Sequence, residues 1–293
     1  MTTFSRSVRA YERLCDEKDI PAETVMAFLV ELSQRERYDL YANYDEEMPS
    51  SLAKAFDEGM ARILAGEPMA HVLGYSWFYG YRLSVGPNVL IPRYETEELC
   101  ANVLGDIDVC FNAEVSLVCA DVGTGSGAIA ITLAKEEPRL TMYATDISGD
   151  ALLIAAENAR ANDAQVTFLQ GDMLKPLIEQ GIRLDVLVCN PPYIPMEEEM
   201  ERSVVDYEPH VALFGGSDGL KFYRSVFADC GKVLKENAFM AFEMGWNQRE
   251  AMVALLAEYL PGATYEIRRD MNGKDRMLFV YLGALKDKAE VNK

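Results

Sequence analysis

Residues 115–127 read VSLVCADVGTGSG, an apolar run that ends in an acid and three glycines spaced two apart. The apolar run predicts a buried strand, and the apolar residues of 128–135 predict a helix directly after the glycines. Glycine lets the chain turn tightly and lets a ligand approach the backbone, while the start of the helix presents free N–H groups. This segment therefore predicts a strand, a ligand-binding loop and a helix.

Strand and helix patterns alternate along the chain from this segment onward. The alternation predicts parallel strands joined by crossover helices, a doubly wound α/β sheet. The last two strands would face each other across a hairpin loop at 270–274. The predicted strands are 115–121, 141–146, 166–169, 184–190, 238–244, 265–269 and 277–282.

The residues that precede this region have a different pattern. Apolar residues recur at spacings of three and four over 5–66, which is typical of amphipathic helices. An aromatic, alternating stretch at 75–92 then predicts a β-hairpin. We therefore predict a helical domain at 1–74, a hairpin linker at 75–95, a ligand-binding α/β domain at 96–285 and a polar tail at 286–293.

Composition excludes several classes of protein. The chain has 293 residues, 49% of them hydrophobic, which is enough to bury a core and argues against disorder. A net charge of −19 argues against direct binding of nucleic acid, which relies on Lys and Arg. The sequence lacks an apolar run long enough for a membrane span or a signal peptide, so we expect a cytoplasmic protein without membrane attachment. Six scattered cysteines and two histidines predict neither disulfides nor a metal site.

The glycine spacing indicates which ligand the loop holds. Dinucleotide sites have G-x-G-x-x-G, whereas Gly123, Gly125 and Gly127 form G-x-G-x-G around Thr124 and Ser126. With an acid two positions upstream, the pattern resembles the loop that holds S-adenosylmethionine (AdoMet) in Rossmann-like methyltransferases. The alternative is a glycine-rich turn without a ligand.

Two acids follow the glycine loop in the order expected of such a site. Asp146 closes the second strand about 20 residues past the glycines, where a carboxylate can accept both ribose hydroxyls. The alternative is a cap for the helix that starts near Ser148. Asp172 and Met173 follow the third strand, where methyltransferases of this kind place an acid against the adenine amino group. The alternative for Asp172 is an ordinary loop acid.

The candidate catalytic segment is Asn190-Pro191-Pro192-Tyr193, directly after a buried strand. An amide or exocyclic amine is a poor methyl acceptor because its lone pair is delocalised, so a site must bind the NH₂ group and aim its nitrogen. The side-chain oxygen of Asn190 and the carbonyl of Pro191 supply two acceptors. Asn190 is also a candidate cofactor-binding residue, together with the glycine loop and the two acids. The prolines stiffen the loop, and Tyr193 offers a flat face for a planar group. The alternative is a simple turn after the strand.

Further segments resemble one family in particular, the protein-(glutamine-N5) methyltransferases that act on peptide chain release factors. The likeness runs from Gly66 to about Leu282. The matching segments are 66–68, 71–74 with 78, 90–93, 95–97, the glycine loop, 190–194, 207–209, 212–213, 215–224, 243–245 with 248, and 270 with 273, 275 and 276. The resemblance implies a Rossmann-like AdoMet-dependent methyltransferase fold with a seven-stranded, mostly parallel sheet. It also implies a small amino-terminal helical domain for substrate recognition, joined by the hairpin linker.

The resemblance implies that the substrate is the glutamine of a Gly-Gly-Gln loop in a release factor. Tyr94 departs from the family pattern where a proline is usual, and Met173 where an aromatic is common. Alternatives that share the motifs are a glutamine methyltransferase of a ribosomal protein and an adenine-N6 methyltransferase of nucleic acid. The non-enzymatic alternative is a degenerate methyltransferase fold that serves as an interaction subunit. Arg93, Glu95 and Glu97 are interpreted as caps of a helix that enters at Glu97 or as contacts to the cofactor's methionine end.

Overall fold

The computed structural model describes residues 2–198 and 202–285. The predicted polar tail, 286–293, lies outside the described residues. The helices are α1 (Phe4–Asp16), α2 (Glu23–Ser33), α3 (Arg37–Ala42), α4 (Ser50–Leu64), α5 (Met69–Leu73), α6 (Tyr94–Cys110), α7 (Ala128–Glu136), α8 (Gly149–Ala161), α9 (Lys175–Glu179), α10 (Arg202–Val205), α11 (Lys221–Val233) and α12 (Arg249–Tyr259). The strands are β1 (Tyr75–Phe78), β2 (Tyr81–Ser84), β3 (Leu117–Val122), β4 (Leu140–Asp146), β5 (Val166–Gln170), β6 (Leu184–Cys189), β7 (Leu234–Glu243), β8 (Thr264–Arg269) and β9 (Asp275–Tyr281).

Seven strands form one sheet in the order β5-β4-β3-β6-β7-β9-β8. Strands β3 to β7 pair in parallel, and β9 runs antiparallel to both β7 and β8. The predicted seven-stranded, mostly parallel sheet is confirmed. Strands β1 and β2 form a separate two-stranded hairpin.

The strand order locates the crevice where ligands bind in such sheets. From β3 the chain builds outward through β4 and β5, then returns to add β6 on the other side of β3. Ligands of open α/β sheets bind at the carboxyl ends of the strands where the order reverses. The glycine loop leaves β3 and the Asn-Pro-Pro-Tyr segment leaves β6, and Asp121 pairs with Val188 in that register. Both predicted segments therefore start at the same crevice.

The central strands are apolar on both faces because helices cover both sides of the sheet. Every residue of β6 is buried. Val186 and Val188 belong to one core cluster, and Leu187 and Cys189 belong to another. The alternation follows the period of two of a β-strand. It explains why these strands are continuous apolar runs in the sequence.

Several predicted boundaries differ from those observed. Strand β7 begins at Leu234, four residues before the predicted start at 238, and β9 begins at Asp275, two residues before 277. In β7 the buried Leu234 is followed by three polar residues, 235–237, and β9 begins with Asp275 and Arg276. Neither stretch is an apolar run, so the pattern gave no signal there. The helix predicted to enter at Glu97 begins at Tyr94 instead.

Contacts among the described residues group into two compact units, one of residues 2–75 and 202–207 and one of 76–198 and 208–285. The first unit has its own core, centred on the stacked rings of Phe28 and Phe56, whose centroids lie 5.8 Å apart. Helices α2 and α4 approach closely at Gly59, where an added Cβ would lie 2.2 Å from the Phe28 ring. The glycine is therefore a packing requirement of this unit.

Candidate active site

A cavity of about 350 Å³ opens at the carboxyl ends of β3, β4 and β6. Its lining includes part of the glycine loop, the two acids that follow it in sequence, and part of the Asn-Pro-Pro-Tyr segment. The predicted site residues that line it are Gly123, Thr124, Gly125, Ser126, Asp146, Asp172, Met173, Asn190 and Pro192. The structure thus brings together residues that are spread over 70 positions of sequence.

The three glycines of the loop serve two different purposes. All three have positive φ, which L side chains rarely adopt. An added Cβ at Gly123 or Gly125 would meet no atom within 4 Å, so the backbone there faces open space. At Gly127 a Cβ would lie 3.2 Å from the Ala155 side chain of α8. The first two glycines leave room for a ligand, and Gly127 permits close packing of the loop on α8.

Asp121 is a buried acid at the end of β3. Its Oδ2 accepts a hydrogen bond from the Thr124 hydroxyl at 2.5 Å, whereas Oδ1 has no hydrogen-bond partner among the described residues. Burial raises the pKa of Asp121 to about 7, and the charge of Asp146 contributes to the rise. A buried carboxylate oxygen without a partner is costly to maintain, and it is common at binding sites.

Asp146 accepts backbone hydrogen bonds from both sides of the cavity. Its Oδ2 accepts from the Gly125 N–H and its Oδ1 from the Ser148 N–H, both at 2.9 Å. Helix α8 is capped by Ser148 itself, whose hydroxyl accepts from the Ala151 N–H. Each carboxylate oxygen has further acceptor capacity, so Asp146 remains able to receive ligand hydroxyls.

Asp172 and Met173 form the wall of the cavity beyond β5. Asp172 is ion-paired with Lys175 at 2.6 Å, and its side chain is 43% exposed. Met173 has a φ of 50°, and its carbonyl accepts a hydrogen bond from the Thr145 hydroxyl. The strained backbone turns the chain so that both residues line the cavity.

Asn190 is held by its side-chain nitrogen. Nδ2 donates to the Thr96 hydroxyl at 3.1 Å and to Oε2 of Glu243 at 3.0 Å. The Tyr193 hydroxyl donates to the other carboxylate oxygen of Glu243 at 3.2 Å. Pro191 is buried and neither it nor Tyr193 lines the cavity, although both belong to the predicted catalytic segment.

The loop after Asn190 is packed too closely to move independently. An added Cβ at Gly219 would lie 2.2 Å from the Tyr193 carbonyl, and one at Gly215 would lie 2.5 Å from the Pro192 carbonyl. The Gln248 side chain also donates to the Tyr193 carbonyl at 3.1 Å. These contacts hold the segment against the rest of the α/β unit.

Three buried polar residues that hydrogen-bond to residues lining the cavity were missed by sequence reasoning or were matched without a role. Glu243 is 2% exposed and holds Asn190, but it appears in the sequence only as the acid that ends an apolar run. Glu208, also buried, accepts from the Ile91 N–H at 3.0 Å and from Arg93 at 2.5 Å. Asn158 bonds to Ser84 and to the Ser126 carbonyl. Each acts through contacts over more than 30 positions of sequence, which no local pattern reveals.

Metal-binding clusters and membrane-spanning helices were sought in the part of the chain that the structure describes. No group of His, Cys, Asp or Glu there has the arrangement needed to hold a metal ion. The six cysteines are buried and free. Across residues 2–198 and 202–285, no helix has the length and apolar character needed to cross a membrane.

The residues present fit AdoMet. The open backbone at Gly123 and Gly125 and the acceptors of Asp146 all lie at one cavity of suitable size for a small cofactor. The ligand presents hydroxyls and amines, which need such acceptors.

Comparison with known proteins gives matches over both units. The model of the PrmC N-terminal domain matches residues 8–74, and that of the methyltransferase small domain matches residues 109–206. A release factor glutamine methyltransferase of Bacillus cereus is 45% identical over 83% of this chain and 86% of its own. One of Staphylococcus aureus is 35% identical over 95% of this chain and 99% of its own.

Solved structures show the same fold. A methyltransferase from Pyrococcus furiosus matches with a TM-score of 0.51 at 16% identity, over 78% of this chain and 99% of its own. At this identity the match concerns the fold alone.

Proposed function

Because the chain belongs to the release factor glutamine methyltransferase family, we propose that it methylates the N5 amide nitrogen of the glutamine in the Gly-Gly-Gln loop of release factors. The observation that carries the proposal is the position of Asn190, held at the crevice beside the glycine loop. The cofactor is AdoMet, the substrate is a protein, and the place of action is the cytoplasm, where the substrate works.

The cofactor residues are those of the cavity wall. Gly123, Gly125 and the loop residues Thr124 and Ser126 bring backbone close to the cofactor, and Gly127 holds the loop on α8. Asp146 receives the ribose hydroxyls. Asp172 and Met173 face the adenine. AdoMet, when bound, supplies a methyl group on a positively charged sulfur.

The chain's own contribution to the reaction is alignment. Oδ1 of Asn190 and the carbonyl of Pro191 accept the two hydrogens of the glutamine amide, which orients its nitrogen. Pro192 stiffens the loop and lines the cavity, and Tyr193 supports the loop from behind through its hydrogen bond to Glu243. We assign no covalent intermediate and no metal to the reaction.

The helical domain at 1–74 is proposed as the part that recognises the release factor, with the hairpin linker at 75–95 between it and the methyltransferase domain at 96–285. The helical domain's match to a family model at residues 8–74 supports this.

A transfer assay with labelled AdoMet tests the proposed function. The acceptors are a purified release factor, the same factor with its Gly-Gly-Gln glutamine changed to alanine, ribosomal proteins and duplex DNA. We expect label on the intact factor alone. Label on a ribosomal protein or on DNA would instead support the glutamine or adenine alternatives, and no label together with no AdoMet binding would support the non-enzymatic one.

A further inference from the structure

Glu243 ends β7 directly behind Asn190, and its carboxylate is the acceptor for three side chains. Thr96 donates to Oε2 at 2.6 Å, Asn190 donates to the same oxygen at 3.0 Å, and Tyr193 donates to Oε1. The side chain is buried. A buried carboxylate requires such partners, and these come from α6 and the loop after β6.

The hydrogen-bond pattern fixes which way round the Asn190 amide lies. The Thr96 hydroxyl has one hydrogen, which it donates to Glu243, so it can only accept from Asn190. Burial raises the pKa of Glu243, but the hydrogen bonds from Thr96 and Tyr193 and the charge of Arg276 favour its ionised form. An ionised carboxylate only accepts. With the amide turned over, Oδ1 would face two acceptors and no donor. Both hydrogens of Nδ2 are therefore used inside the protein.

The opposite end of the amide is the one that the proposed reaction needs. Within the part of the chain that is described, Oδ1 of Asn190 accepts no hydrogen bond, and Asn190 lines the cavity. This oxygen is thus available to accept a hydrogen bond from the substrate amide. If the Asn190 amide were turned over, its NH₂ group would instead face the NH₂ group of the substrate, and no hydrogen bond would form.

We infer that Glu243, together with Thr96, is a positioning residue that holds Nδ2 of Asn190 inside the protein and so presents Oδ1 to the acceptor amide. The inference rests on the proposed function in giving Oδ1 that task. It does not depend on which protein carries the acceptor amide.

Charge balance and packing are alternative reasons for a buried Glu243, since Arg276 attracts it electrostatically. Two variants of matched length separate these reasons. Glu243→Gln and Glu243→Met both remove the charge and both keep the volume. Only Gln keeps an oxygen that can replace Oε2 as an acceptor, with its NH₂ toward the Tyr193 hydroxyl. A charge or packing role predicts the same behaviour for the two variants.

The first measurement is kcat and KM for the release factor, with AdoMet affinity measured by calorimetry on the full chain. We expect Glu243→Met to lower kcat about 100-fold, the scale of loss for a misaligned group, with AdoMet affinity within about twofold of the parent. Glu243→Gln should lose no more than about fivefold. Equal kcat values for the two variants would overturn the inference.

Thr96 supplies a second pair of variants in case Glu243→Met fails to fold. Thr96→Val removes one acceptor of Nδ2, and Thr96→Ser keeps the hydroxyl. We expect the valine variant to lower kcat about tenfold and the serine variant to restore most of it. Equal activity of the valine and serine variants would contradict the role given to the hydroxyl.

A measurement on the amide itself separates this inference from the proposed function. The side-chain NH₂ of Asn190, identified in ¹⁵N spectra by its loss in Asn190→Ala, should exchange slowly in the parent. We expect exchange at least about tenfold faster in Glu243→Met or Thr96→Val. If the parent methylates no release factor, the proposed function fails, yet this exchange still decides whether the amide is held. Unchanged exchange in both variants would overturn the inference.

Discussion

At the residue scale, Asn190 and the acids near the glycine loop have tasks that can be separated. All four residues line one cavity, where we propose that Asn190 contacts the acceptor amide and that Gly123, Gly125 and Asp146 contact the cofactor. Loss of one function should therefore leave the other intact.

The Asn190→Ala variant tests this division. We expect kcat/KM for the release factor to fall about 1,000-fold, because both the acceptor contact and the alignment of the nitrogen are lost. AdoMet affinity, measured by calorimetry, should stay within about threefold. Asp146→Ala is the matched contrast and should weaken AdoMet binding first. An equal loss of AdoMet affinity in Asn190→Ala would contradict the assignment.

Asp121 predicts a particular pH dependence of stability. Its pKa is raised from 3.8 to about 7 in the folded chain, so the folded state binds a proton more tightly than the unfolded state. This contribution to the free energy of unfolding is therefore at its maximum below about pH 4 and is lost as the pH rises to about 7. The loss is at most on the order of 4 kcal/mol.

Urea unfolding of the parent and of Asp121→Asn at pH 5 and pH 8 measures this. Asparagine has the shape of aspartic acid and cannot ionise. The stability of Asp121→Asn relative to the parent should therefore be higher at pH 8 than at pH 5. A relative stability that is the same at both would show that Asp121 does not titrate as described.

At the element scale, the closest helix contact of the first unit depends on Gly59. An alanine there would force the Phe28 ring to move, because the new Cβ would lie 2.2 Å from it. Overpacking costs about 1–3 kcal/mol, more than the roughly 1 kcal/mol by which alanine favours a helix over glycine.

Gly105 is the matched control for Gly59→Ala. It is an exposed glycine inside α6, with no atom within 4 Å of an added Cβ. We expect Gly105→Ala to raise stability by up to about 1 kcal/mol and Gly59→Ala to lower it by about 1 kcal/mol or more. Thermal unfolding of the full chain measures both. If both variants stabilised the chain, the Phe28 ring would be able to move aside with no loss of folding free energy.

At the scale of the whole molecule, AdoMet should stabilise the folded chain by mass action. A ligand that binds the folded state alone adds about 2.7 kcal/mol at 100 times its Kd. We expect a rise in Tm with AdoMet concentration in the parent and in Asn190→Ala, and a smaller rise in Asp146→Ala. Thermal shift curves over a range of AdoMet concentrations give the result. If AdoMet did not raise the Tm of the parent, the proposal that AdoMet is the cofactor would be wrong.

The sequence was sufficient for the fold class and for two of the site's segments. The three glycines lie within five consecutive residues, and the Asn-Pro-Pro-Tyr segment is four residues long. Local patterns therefore reveal both. Apolar or alternating patterns located all seven strands of the sheet, and the central strands are the most apolar because helices cover both of their faces. Strand ends were less well predicted, because three polar residues follow Leu234 at the start of β7 and two polar residues begin β9.

Only the tertiary structure decided how the candidate site is held. Thr96, Asn190 and Glu243 are separated by 94 and 53 positions, yet they share one set of hydrogen bonds. Glu208 reaches Ile91 over 117 positions. Periodicity and spacing report which face of an element is buried, but they carry no record of which distant polar groups meet there. That pairing is set by the strand order and the burial of the carboxylates, because a buried charge is stable only where the folded chain supplies its donors.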